Sequence, residues 1–421
     1  MPDRPNEAIA LGVFVLAYVL ISARRLPFVR LHRPAASLLG AVLMVLLTDM
    51  TVEDAYAAIS WDTIVLLLGT MIIVSYLRRA RFFEWVAYHV LRASARPATL
   101  VWLLVFVAGT LSALFVNDTI CVMFTPIVLI VVARSRVSPV PFLMALATGS
   151  NVGSVLTLTG NPQNMLVGTH IVDYPGWTYA TFLLRMLPIG LAGMAVSAAV
   201  ICRIYRHELR DQRMGEMPLG APRLRQPLIT KAAVVVAAVL AGFVLFPEKL
   251  AAVAIAGAAA LTAWSRRKPE RIYAKVDWPL LLFFAALFVI VGGLRHAGLV
   301  EDIRGRALPF LTPGPAREVG TFSAASVVLS NLFSNVPYVL VAGTWVESFS
   351  RPDLGWFTLA MASTFAGNLT IFGSVANMIV LELARDRVHV GFWEYCKAGV
   401  PITILTTAIG VAIVWGYHAW M

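Results

Sequence analysis

Long apolar runs recur along the chain, from "AIALGVFVLAYVLISA" near the start to "ITILTTAIGVAIVWGY" near the end. A helix that crosses a bilayer needs about 20 mainly apolar residues, so the chain has room for roughly ten spans and little else. The pattern predicts apolar helical segments at 7–23, 35–48, 61–77, 98–116, 120–133, 139–172, 178–204, 228–246, 250–264, 278–294, 319–333, 338–349, 355–383 and 397–418. Between them, 78–96 mixes five arginines with Phe82, Phe83, Trp85, Val86 and Val90, which predicts a helix lying along the membrane interface. One run breaks the pattern. "TLTGNPQNMLV" at 157–167 places a glycine, a proline, a glutamine and two asparagines where greasy helix is expected.

Composition agrees with the pattern. The 421 residues are 59% hydrophobic and 14% charged, against about 45–50% and 25% in soluble domains. Mean hydropathy is +0.78. The net charge of +11 would suggest nucleic acid in a soluble protein, but the basic residues lie in the short connections, where the positive-inside rule puts them. No basic helix or aromatic-interleaved patch exists apart from those loops, so no nucleic-acid partner is expected. Arg24 and Arg25 follow the first apolar run instead of preceding it, which predicts a span with its N-terminus outside and no cleaved signal. Arg30, Arg33, Arg78, Arg79, Arg81, Arg134, Arg136, Arg206, Arg210 and Arg213 then fall on the cytoplasmic side, and the C-terminus ends outside. Asp49, Glu53 and Asp54 form a short acidic outer loop. Cys121, Cys202 and Cys396 match no metal or disulfide spacing and read as packing residues. No HExxH or GxSxG pattern or pair of intramembrane aspartates points to an enzyme.

The two halves are related. Trp61 aligns with Trp278, Leu77 with Leu294 and Glu84 with Glu301, each 217 apart (278 − 61). "LSALFVND" aligns with "LSNLFSNV", placing Asn117 on Asn335 at 218 (335 − 117). "TLTGNPQNMLV" aligns with "TIFGSVANMIV", placing Gly160 on Gly373 and Asn164 on Asn377 at 213 (377 − 164), and Pro188 and Pro401 keep that offset. The charge map sends the two copies across the membrane in opposite directions. Inverted repeats carrying broken helices mark a secondary transporter, with substrate and coupling ions near the midplane.

In hydrocarbon an unpaired backbone group costs several kcal/mol, so irregular backbone survives only where protein or a wet cavity satisfies it. Glycine and proline free backbone groups, and the neighbouring amides add donors and acceptors. Four breaks supply the candidate site. The first hairpin tip carries Asn117, Asp118 and Thr119, and the second carries Ser334, Asn335 and a helix-ending Pro337. The first broken span carries Thr159, Gly160, Asn161, Gln163 and Asn164 after Ser150, Asn151 and Ser154; the second carries Asn368, Thr370, Gly373, Ser374 and Asn377. Their hydroxyl and amide oxygens suit Na⁺, with Asn117, Asp118, Asn164, Asn335 and Asn377 as its expected surroundings, and their N–H and O–H groups suit an oxyanion. Asp118 is the chief acid that the pattern buries, which makes it a proton carrier or cation ligand, or the cap of the second hairpin arm. Arg185 reads as a snorkelling side chain. His89, His170 and His296 read as interfacial.

In "FFEW", "LFVNDTICVMFTPIVL", "GNPQNMLV" and "SNVPYVL", in that order, the chain resembles the ion transporter superfamily. Its branches include arsenite permeases, NhaD-type Na⁺/H⁺ antiporters, the P protein group and divalent-anion/Na⁺ symporters. The resemblance implies an all-α polytopic membrane protein of two inverted repeats, each with a re-entrant hairpin and an interrupted transmembrane helix, forming a homodimer. It places Asn117–Thr119 and Ser334–Val336 where the symporters carry Ser-Asn-Thr tips that contact Na⁺ and a carboxylate. The first tip here reads Asn-Asp-Thr and the second Ser-Asn-Val; an acid in the first hairpin is closer to the permease and antiporter branches.

The expected organisation is N-terminal helices over 1–57, a first repeat over 58–204, a cytoplasmic basic loop over 205–227, and linking helices with the second repeat over 228–421. The expected function is secondary active transport of a small inorganic or organic anion or oxyanion across a bacterial inner membrane. Na⁺ or H⁺ would be the coupling ion, and no cofactor is expected. Na⁺/H⁺ antiport and arsenite or antimonite efflux are the alternatives, and an intramembrane enzyme is the remote one.

Overall fold

The computed structural model describes residues 4–22, 32–94, 96–135, 137–210, 222–266, 268–311 and 315–420, and these contain helices and no strand. Arg24, Arg25, Arg30, Arg136 and Arg213, and with them much of the expected basic loop, lie outside the described residues. The first half runs α1 (Arg4–Ser22), α2 (Arg33–Leu47), α3 (Val52–Ala58), α4 (Trp61–Arg79), α5 (Phe82–Arg92), α6 (Pro97–Phe115), α7 (Asn117–Ser135), α8 (Val140–Ser154), α9 (Pro162–Ile171), α10 (Tyr179–Ile204) and α11 (Arg206–Leu209). The second runs α12 (Leu228–Leu245), α13 (Leu250–Ser265), α14 (Glu270–Tyr273), α15 (Trp278–His296), α16 (Leu299–Leu311), α17 (Pro315–Phe333), α18 (Asn335–Val346), α19 (Pro352–Ala366), α20 (Val375–Ala384) and α21 (Phe392–Trp420). Among the described residues six helices are long and apolar enough to cross a membrane: α4, α6, α10, α12, α15 and α21.

The acidic connection expected on the outer side is not a plain loop. Thr51 accepts a hydrogen bond from the Asp54 amide and Asp54 accepts one from the Thr51 amide, a reciprocal cap that nucleates α3. The Thr51 hydroxyl, donating to the Asp54 carboxylate at 2.7 Å, and then the Thr51 amide hold that carboxyl below the usual carboxylate range. α5, with Phe83, Ala87, Val90 and Leu91 buried on one face, is too short to span a bilayer. Arg81 before it and Gly298 before α16 both turn the chain at positive φ, 66° and 78°, and they stand 217 apart (298 − 81).

The copies are inverted in the fold. Arg78 at the end of α4 shares a space with Lys275 and Asp277 at the start of α15, while His296 at the end of α15 meets Asp54, just before α4, at 3.9 Å. Likewise His170 near the end of α9 stacks on Trp356 near the start of α19, ring centroids 4.6 Å apart. The Tyr417 hydroxyl near the end of α21 donates to the Arg185 carbonyl near the start of α10. Equivalent helices therefore run antiparallel.

Each hairpin turns on one residue rather than three. Val116 (φ 54°, ψ 123°) separates α6 from α7, and Ser334 (φ 64°, ψ 153°) separates α17 from α18. Asp118 and Thr119 consequently lie within the first turn of α7, so Asp118 is not its N-cap. Pro337 does not end a helix; it is the third residue of α18, where its missing N–H has no carbonyl to serve. The first hairpin lies against α8 at small residues: a Cβ on Gly149 would come 2.7 Å from the Val105 Cα, and one on Gly153 would enter the Gly109 backbone. Such close approach is what small residues provide between helices in lipid.

Candidate functional site

The breaks foreseen in the two spans lie at 155–161, between α8 and α9, and 367–374, between α19 and α20. Both follow one plan. Asn164 turns its side-chain nitrogen toward the Ser154, Val155 and Thr157 carbonyls (3.3, 3.4 and 2.9 Å). Asn377 does the same for the Gly367 and Thr370 carbonyls (2.7 and 3.1 Å). Gly367 and Thr370 stand 213 after Ser154 and Thr157, as Asn377 does after Asn164. Each following helix has a side-chain cap: Asn161 accepts from the Asn164 amide at 2.8 Å, and Ser374, its equivalent, accepts from the Ala376 amide at 3.2 Å. Gly160 permits the first crossing, since a Cβ there would meet the Ser154 carbonyl; its own carbonyl accepts from the Asn117 amide at 3.1 Å.

Asn151 ties the copies together. Its carbonyl oxygen accepts from Asn117 Nδ2 and Ser374 Oγ, both at 2.9 Å. Its nitrogen donates to Asn368 Oδ1 at 3.0 Å and Asn377 Oδ1 at 2.9 Å. The equivalent position, 213 later, is Thr364, which sequence reasoning missed although the offset pointed to it. Thr364 donates to Asn164 Oδ1 (3.4 Å) and accepts from Asn161 Nδ2 (3.2 Å) and Gln163 Nε2 (3.5 Å). Asn331, also missed, holds the Ala366 carbonyl at 2.7 Å and accepts from Thr370 at 3.1 Å.

Beside this network is a cavity of about 30 Å³, lined by Asn117, Asp118, Pro162, Gln163, Phe283, Phe284, Ser334, Asn335, Val336, Gly373, Ser374 and Val375. A space that size holds a small ion or a couple of waters. Four helices begin at it: α7, α9, α18 and α20. Two buried side-chain groups in the network lack protein partners, the acceptor Asn117 Oδ1, from a residue of the wall, and the donor Asn368 Nδ2.

Of the foreseen residues, Asn117, Asp118, Gln163, Ser334, Asn335, Gly373 and Ser374 line the cavity. Asn151, Asn161, Asn164, Asn368 and Asn377 form the network behind it, with Ser150 and Ser154. Thr159 is turned elsewhere: its hydroxyl pairs with Tyr179 on α10 at 2.9 Å. Thr370 serves Asn331. Phe283 and Phe284 had no sequence signal, being apolar residues in an apolar run.

Two larger spaces lead toward the centre from opposite faces. One, about 330 Å³, is lined by Met71, Arg78, Asp118, Thr119, Val122, Lys275, Asp277 and Ile379, among others, and so reaches the cavity wall at Asp118. The other, about 460 Å³, is lined by Phe288, Arg295, Arg304, Val339, Leu340, Glu347, His170, Trp356 and Leu166, among others. They are images of one another: Met71 and Phe288 stand 217 apart, Arg78 and Arg295 217, Val122 and Leu340 218, Leu166 and Ile379 213. The second stops about one helical turn short, at Val339. His170, foreseen as interfacial, is a wall of this vestibule. Arg185 lies 4.3 Å from the centre of the ring of Trp177, which just precedes the start of α10.

Known proteins resemble this chain in fold or in sequence. The solved YdaH transporter of Alcanivorax borkumensis superposes with a TM-score of 0.61 over 99% of this chain and 98% of its own, at 15% identity. A 46 kDa membrane protein of Mycobacterium leprae is 31% identical over 97% of this chain and 98% of its own length. The silicon efflux transporter LSI3 of Oryza sativa subsp. japonica is 31% identical over 98% of both. The transporter described as arsB in Dictyostelium discoideum is 25% identical over 96% and 90%. The citrate transporter profile matches residues 18–366, and with an inverted, twice-broken helical fold around a polar centre, the chain belongs to the citrate transporter family of membrane transporters.

Proposed function

We propose that the protein is a secondary active carrier of a small inorganic or organic anion, an oxyanion foremost, with the cavity between α7, α9, α18 and α20 as its substrate site. The convergence of four helix starts carries this reading. Each helix N-terminus presents about half a positive charge, so four together offer roughly two, against the single carboxylate of Asp118. Backbone amides at helix starts add hydrogen bonds to an anion. The family's citrate description and the silicon and arsB names of two relatives are compatible with an oxygen-rich solute.

Asp118 faces both the cavity and the vestibule that opens past Arg78, a position suited to exchanging a coupling H⁺ or Na⁺ with water. The unpartnered Asn117 Oδ1 beside it also supports the alternative of Na⁺/H⁺ antiport. By the positive-inside rule the Arg78 face is cytoplasmic and both termini lie outside; re-entrant hairpins and a homodimer in a bacterial inner membrane are what the resemblance to the ion transporter superfamily adds to the proposal.

Proteoliposomes offered [⁷³As]arsenite, silicic acid, [³²P]phosphate or [¹⁴C]citrate under an imposed Na⁺ or pH gradient test the reading. Accumulation of one solute, lost in Asp118→Asn while the protein stays folded, is the expected result. A pH-dependent ²²Na⁺ flux with no solute requirement would replace it with antiport.

A further inference from the structure

The two vestibules carry charge at one matched position, and its setting is unusual. Arg78 and Arg295 close the last turns of α4 and α15. A helix C-terminus presents about half a negative charge, and each arginine stands against that end with a full positive one. Each arginine shares its vestibule with the second arm of a hairpin, Arg78 with Val122 and Arg295 with Leu340. Arg295 also donates to the Leu340 carbonyl at 3.4 Å, which holds its guanidinium across the path.

We infer that Arg78 and Arg295 are a matched pair of anion-selecting residues, one serving the access path from each membrane face. This rests on the central cavity being an anion site. Guanidinium suits the task because it stays charged and is weakly hydrated, and a charge between low-dielectric walls raises the local concentration of its counter-ion. In the first vestibule Arg78 and Lys275 together balance two carboxylates, so loss of Arg78 leaves the path net negative; in the second, Arg304 balances Glu347 and Arg295 leaves the path net positive. Lys275, Asp277 and Asp118 share the first vestibule; Arg304, Glu347 and His170 share the second.

The test reads local charge without knowing the solute. In a chain whose three native cysteines are replaced, Val122→Cys and Leu340→Cys are each reacted, from the accessible face of oriented vesicles, with anionic and cationic methanethiosulfonates of similar size. The anion-to-cation rate ratio at position 122 should fall about threefold or more in Arg78→Gln. It should survive Arg78→Lys and ignore Arg295→Gln; position 340 should respond in the reverse sense. Unchanged ratios, or one arginine governing both positions, overturn the inference. Uptake of phosphate and citrate, the anions among the solutes named above, by the same vesicles is scored separately. Normal ratios of this kind with no anion transported would sink the anion reading of the cavity while leaving the vestibule charges as measured.

Discussion

Asn164 and Asn377 occupy mirrored places, each folding its side-chain nitrogen back onto the carbonyls that the preceding break sets free. Both are fully buried, so no solvent can replace them. Truncation to alanine leaves two or three carbonyls without this donor, at about 0.5–1.5 kcal/mol for each bond lost. Asn164→Ala and Asn377→Ala should therefore lower thermal stability in detergent by similar amounts, and each should impair transport. A large loss in one variant with none in the other would mean that only one break is structurally demanding.

Asn151 should be the more sensitive position. Its four partners come from α7, from the second break and from α20, so Asn151→Ala disconnects one repeat from the other and leaves Asn368 with neither half of its amide paired. A loss of about 2–4 kcal/mol is expected. Thr364→Ala, its mirror, should cost less, because its three bonds are longer, 3.2 to 3.5 Å. Unfolding midpoints of the two variants give the order directly.

Much of this centre was legible because polar residues in hydrocarbon are conspicuous, and because the same offsets recur in both halves. The inversion, both breaks, and the cavity-lining Asn117, Asp118, Gln163, Asn335 and Ser374 all follow from that signal. What stayed hidden is of three kinds. Thr364 looked ordinary, since a threonine within a helix commonly bonds its own preceding turn; Thr159 looked functional but serves Tyr179. Phe283 and Phe284 are apolar among apolar neighbours, and only packing selects them. The hairpin turns look longer in sequence than they are, because composition does not announce that a valine or serine will adopt positive φ.

Those turns store strain. A non-glycine residue held near the φ and ψ of Ser334 costs roughly 1–3 kcal/mol, whereas glycine there costs about 0.5–1 in unfolded-chain entropy. Ser334 is half-buried and its side chain is not a helix cap, so Ser334→Gly should raise stability by about 1 kcal/mol. A destabilised Ser334→Gly would show that the hydroxyl makes a favourable contact outweighing the backbone term.

The antiparallel relation of the repeats can be checked without any transport measurement. His170 and Trp356 lie 186 residues apart in sequence, at the far end of α9 and the near end of α19 (356 − 170). In the inverted arrangement their rings stack; were the repeats parallel, they would lie at opposite membrane faces, about 30 Å apart. His170→Cys paired with Trp356→Cys, in a chain otherwise free of cysteine, should be joined by a short bifunctional maleimide and migrate as a cross-linked monomer. A control pair of His170→Cys with Val388→Cys, beyond the end of α20, should not react. Cross-linking of the control in place of the test pair would reverse the orientation of the second repeat. It would also pull apart the four helix starts on which the anion site depends.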